Sequence, residues 1–113
     1  MRNVIVQAWM TLDGVVQAPG AADEDVTGGF EHGGWSVPYF DERGMNWVAR
    51  NVTEAGGFLL GRRTYEILAS YWPNASEDER VLAEPLNGRP KYVASTTLSE
   101  PLEWPQVAAL AGF

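Results

Sequence analysis

The stretch Phe58-Leu59-Leu60-Gly61-Arg62-Arg63-Thr64-Tyr65-Glu66-Ile67-Leu68-Ala69-Ser70-Tyr71-Trp72-Pro73 changes its periodicity at one residue. Before Gly61 it is a short apolar run of strand type. After Gly61, the residues Tyr65, Leu68, Ala69 and Trp72 keep the spacing of one helix face, and Pro73 stops the pattern. A strand that turns at a glycine straight into a helix is half of a strand–helix–strand crossover, and this decides the class.

Downstream, Ser76-Glu77-Asp78-Glu79 has the form of a capping box, opening a short helix through Val81, Leu82 and Leu86 to Asn87-Gly88. Lys91 to Ser95 is the next predicted strand, and Val107 to Leu110 an edge strand. Upstream, Asp41 is placed to cap a helix with Met45, Val48, Ala49 and Val52 on one face, closing at Gly56-Gly57. Val4 to Met10 is an almost unbroken apolar run, which predicts a strand buried on both faces. Between Asp13 and Tyr39 six glycines and two prolines show no sustained period. A loop this long in a compact domain is functional or mobile. Strands alternating with helices predict an α/β fold, a mostly parallel sheet with helices on both faces.

The 113 residues suit one domain, 1–113, and 45% apolar content with thirteen aromatics excludes disorder. With no cysteine there is no disulfide, thiolate nucleophile or zinc finger, and one histidine leaves little for a metal, so none is expected. The apolar run before Gln7 is too short for a secretory leader and no stretch approaches a membrane span, which predicts a cytoplasmic protein with no membrane partner. A net charge of −7 argues against nucleic acid. Five of the eight cations lie within residues 61–95, and four of these are Arg62, Arg63, Arg89 and Lys91.

In an open parallel sheet, ligands sit beyond the carboxyl ends of strands, where helix N-termini offer N–H groups to an anion. Gly61-Arg62-Arg63-Thr64 has that form, with a glycine for close approach, two guanidinium groups and a hydroxyl; a plain strand–helix turn with solvated arginines explains the same residues. Two adjacent cations at a helix N-terminus oppose its dipole, and a bound anion would offset that cost. Ser95-Thr96-Thr97 is a second strand terminus carrying hydroxyls, which also cap turns. Asp13 in Thr11-Leu12-Asp13-Gly14 and Asp41 are the candidate catalytic carboxylates, although Asp-Gly is above all a turn signal and Asp41 a helix cap. The lone His32, in a glycine-rich loop, suits a structural role better than acid–base work.

The order of these pieces resembles the dihydrofolate reductase-like family, in particular its branch similar to the reductase domain of bacterial riboflavin biosynthesis. The resemblance is carried by Thr11-Leu12-Asp13-Gly14, the Phe30 to Asp41 stretch, Leu60-Gly61-Arg62-Arg63-Thr64-Tyr65-Glu66, Tyr71-Trp72-Pro73, Pro90 to Leu98 and Glu100-Pro101-Leu102-Glu103-Trp104. It spans the whole chain. It implies an NADPH-dependent reductase that passes hydride to a heterocyclic small molecule. In that family the motif matching Gly61, Arg62 and Thr64 contacts the cofactor phosphates, and hydroxyls matching Ser95 and Thr96 lie near the 2′-phosphate. The expected cofactor-binding residues are therefore Gly61, Arg62, Arg63, Thr64, Ser95 and Thr96.

The resemblance departs at two places. Gln7 stands where riboflavin-pathway members carry a lysine, and the family domain continues past the position of Phe113. The second departure predicts an incomplete domain that self-associates through an open sheet edge, with Trp104 and Phe113 adding uncovered aromatic surface. It also admits a second function, that of a non-catalytic remnant or dimerisation module keeping the fold.

Overall fold

The break in periodicity at Gly61 is a break in backbone conformation. In the computed structural model, which describes residues 2–110, the elements are α1 (Glu42–Glu54), β1 (Phe58–Gly61), α2 (Arg62–Tyr71), α3 (Arg80–Gly88), β2 (Lys91–Ala94) and β3 (Val107–Leu110). Phe113, assigned to an uncovered edge above, lies outside the described residues. The chain forms two compact units, Met1–Asp41 and Glu42–Phe113.

All three strands belong to the second unit and form one parallel sheet in the order β1-β2-β3. The connection from β1 to β2 runs through α2 and α3, as a parallel crossover requires. Ser76 and Glu79 make the expected capping box, bonding reciprocally in a 3-10 turn just before α3. The core gathers Tyr65 of α2, Leu86 of α3, Val93 of β2 and Trp104 of the β2–β3 connection, with Phe58, Leu60 and Leu68 packed against them. Burial alternates along β1 and β2, so one face of the sheet points into this core. The α/β class follows directly. The expectation of helices on both faces meets Leu59 and Tyr92, which stay 70% and 44% exposed on the other side.

Trp104 is corrected. It is 1% exposed, its ring centroid lies 6.3 Å from that of Tyr65, and its Nε1 donates to Asn87 Oδ1 at 2.7 Å. Asn87 in turn donates to the Trp72 carbonyl at 3.0 Å. One amide thus ties α3 to the end of α2 and to the β2–β3 connection, giving the indole N–H the partner that a buried Trp needs.

In the first unit, Val4 to Met10 is not a ladder strand, which corrects the expectation of a doubly buried one. It carries no strand assignment, and Val4, Ile5 and Val6 are 90%, 68% and 87% exposed. Periodicity reports the surroundings that side chains favour. A strand also needs a neighbour for its N–H and C=O groups, which the apolar pattern does not supply.

Residues 13–39 are irregular, as expected, but tied down. Trp35 Nε1 donates to the Gln17 carbonyl (2.8 Å), and Gln17 Nε2 donates to the carbonyls of Asp25 (3.1 Å) and Thr27 (2.9 Å). Ser36 Oγ donates to the Pro19 carbonyl at 2.7 Å. Ala18 is buried beneath these bonds. The segment closes most tightly at Gly33, where a Cβ would meet the carbonyl oxygens of Ala22 and of Ala21, the latter at 2.7 Å. Gly33→Ala must therefore displace backbone, and we expect a loss of about 1–3 kcal/mol in urea unfolding of the whole chain. An unchanged midpoint would show that residues 21–22 move aside freely.

Candidate functional site

The parallel register pairs Gly61 with Ala94, so the carboxyl ends of β1 and β2 lie side by side. This brings Gly61-Arg62-Arg63-Thr64 and Ser95-Thr96 together at one end of the sheet, the end where loops and helix N-termini frame a crevice in this architecture. At the start of α2, Gly61 occupies the cap position with φ −75° and ψ 163° and, having no side chain, makes no cap bond. As at any helix start, the first-turn N–H groups have no intrahelical partner. That φ suits any residue, so the turn does not demand glycine. A Cβ at Gly61 would meet nothing within 4 Å, and the lack of one leaves the helix end open to close approach.

Arg62 Nη1 pairs with Glu66 Oε2 at 2.8 Å across one turn of α2. Both groups are partly exposed, so the pair contributes little stability. Arg63 and Thr64 are exposed, and among the described residues no carboxylate lies within ion-pair reach of Arg63. Ser95 is buried, and its Oγ accepts from the backbone N–H groups of Thr97 (3.1 Å) and Leu98 (3.0 Å). Its hydroxyl thus closes its own turn, whereas Thr96 is exposed.

The other two cations of the basic zone serve elsewhere. Arg89 Nη1 donates to the carbonyls of Thr53 (2.6 Å) and Ala55, at the end of α1. Lys91 is fully buried, its Nζ donating to the carbonyls of Leu86 (2.7 Å), Asn87 (3.3 Å) and Arg89 (2.9 Å) and lying 4.6 Å from the Trp104 ring centroid. Each cation thus satisfies carbonyls that a helix end leaves unpaired, where the dipole favours positive charge. Lys91 caps the helix that it follows, whereas Arg89, although it follows Asn87-Gly88, reaches back to the end of α1, a partner that no neighbouring residue signals. Clustering in sequence disguised two structural caps as part of an anion site.

The candidate carboxylates belong to the first unit. The Thr11 hydroxyl donates to Asp13 Oδ1 at 2.6 Å and accepts from Val15 N–H at 2.8 Å, closing a turn in which Gly14 has φ +93°. The Thr11 hydroxyl and then Asp13's own backbone N–H hold this exposed carboxyl below its ordinary pKa. A proton donor at neutral pH needs the opposite shift. Asp41 is exposed and directly precedes α1. His32 is exposed and sets its ring edge-on to Phe30, the centroids 5.7 Å apart.

A family model described as the RibD C-terminal domain matches residues 2–109 of the 113. The chain belongs to the RibD C-terminal domain family. No curated protein matches it. Membership in the RibD C-terminal domain family bears out the resemblance carried by the ordered motifs. It makes the parallel sheet part of the dihydrofolate reductase-like reductase fold of riboflavin biosynthesis. RibD-type reductases generally use NADPH. Among the described residues, no helix is long and apolar enough to cross a membrane.

Proposed function

We propose that the chain binds NADPH at the joined carboxyl ends of β1 and β2 and serves hydride transfer to a heterocyclic small molecule. The observation that supports this most is the pairing of Gly61 with Ala94, which sets an uncapped helix N-terminus beside a hydroxyl-bearing turn. The donors fit a phosphate. They comprise the first-turn N–H groups of α2, the Arg62 and Arg63 guanidinium groups and the Thr64 hydroxyl, with the Thr96 hydroxyl and the Ser95 turn next to them. The nicotinamide supplies the hydride when bound, and the protein's part is to hold and orient the dinucleotide. Arginine forks near the 2′-phosphate would make NADPH preferred over NADH.

Titration with NADPH and NADH, followed by nicotinamide fluorescence, tests the reading. Charge-assisted hydrogen bonds are worth about 1.5–3 kcal/mol each, so Arg62→Ala or Arg63→Ala should weaken NADPH binding about tenfold or more while NADH binding changes little. Gly61→Val is the sharper variant. Its side chain enters space that the protein leaves empty, so folding should be kept while approach to the helix end is blocked. Equal affinities for the two dinucleotides, or normal NADPH binding by Gly61→Val, would remove this site.

A further inference from the structure

Among the described residues β3 is an edge strand of four apolar residues, Val107-Ala108-Ala109-Leu110, with no charge of its own. Lys91 N–H donates to the Gln106 carbonyl (2.9 Å) and Ser95 N–H to the Leu110 carbonyl (3.1 Å). This sets the even-numbered positions of β3 toward β2 and turns the backbone groups of Val107 and Ala109 outward. Such a row is a template for another strand, and an uncharged apolar edge is the kind that recruits one. The Ala109 N–H is occupied. It donates to Glu100 Oε1 at 2.9 Å. Glu100 comes from the β2–β3 connection and is exposed, so a carboxylate lies across the outer edge of the strand that its own loop leads into.

We propose that Glu100 is an edge guard, a built-in contact that stops β3 of one chain from pairing with β3 of a second copy. The carboxylate acts in two ways. It occupies the outward donor at Ala109, which an incoming strand would otherwise use. It also sets a negative charge on the edge, and two-fold pairing of β3 strands would bring two such charges together. The occupant that the guard excludes is a second copy, because the exposed groups of β3 are self-complementary in an antiparallel pair. This inference concerns the edge opposite β1 and is independent of the cofactor reading.

The test is sedimentation equilibrium of the 113-residue chain over a concentration series, with Glu100→Ala, Glu100→Gln and Glu103→Ala beside the wild type. Glu103 is an exposed carboxylate three residues on and controls for net charge. Glu100→Ala should raise the self-association constant about tenfold over wild type, the worth of one hydrogen bond released to a partner. Glu103→Ala should leave it unchanged. Glu100→Gln, which keeps an acceptor but loses the charge, should fall between. Hydrogen exchange supplies a second readout. The Ala109 amide should exchange faster in Glu100→Ala than in wild type at low concentration, and slow again as the variant associates. Equal association by Glu103→Ala and Glu100→Ala, or an Ala109 amide indifferent to both variant and concentration, would overturn the proposal.

Discussion

Trp104→Ala should lower the unfolding free energy by about 3–5 kcal/mol. Its ring fills the centre of the core against Tyr65, its Nε1 satisfies Asn87 Oδ1, and its face lies beneath the Lys91 ammonium. Truncation removes all three together. Small domains are stable by about 5–15 kcal/mol in total, so this one change should leave a measurable unfolded population. Trp104→Phe keeps most of the apolar area and loses chiefly the indole bond, for about 1–2 kcal/mol. Urea unfolding followed by far-ultraviolet circular dichroism separates the two. A Trp104→Ala midpoint within error of wild type would place this side chain outside the core.

Lys91→Met should cost about 2–3 kcal/mol at neutral pH, because the carbonyls of Leu86, Asn87 and Arg89 lose their shared donor inside the protein. The easier burial of a thioether offsets part of that loss. The same pair of proteins carries a pH signature. Burial holds the Lys91 ammonium below its ordinary pKa. Below the folded-state pKa, both the folded and the unfolded chain are protonated here, and the cost of burying the charge is present in full. As pH climbs from there toward the unfolded value near 10.4, the unfolded chain binds more protons than the folded one, so stability rises. The advantage of wild type over Lys91→Met should therefore grow through that alkaline window and level off above it. Titrations common to both proteins cancel in the difference. A difference that is flat across the window would mean that Lys91 is not desolvated.

The helices and most strands were legible because their signals are local. The change of period at Gly61, the apolar faces of α1 and α2, the capping box of Ser76 and Glu79 and the turn at Asp13-Gly14 are each set by neighbours within a few residues in the chain. The candidate cofactor residues were also legible, since a glycine followed by cations and a hydroxyl at a strand end has a mechanism visible in the sequence. Their meeting at one end of the sheet then followed from parallel pairing. Tertiary structure alone decided what four particular side chains do. Arg89 reaches the end of α1 and Lys91 the end of α3, so charges that cluster in sequence divide between helix caps and the candidate site. Trp104 goes inward because Asn87 meets its N–H, and Glu100 reaches back to the edge of β3. Sequence by itself determined periodicity, caps and class, which depend on near neighbours. The partners of a long polar side chain, and the presence of a neighbour for an apolar run such as Val4 to Met10, depend on segments that only folding brings together.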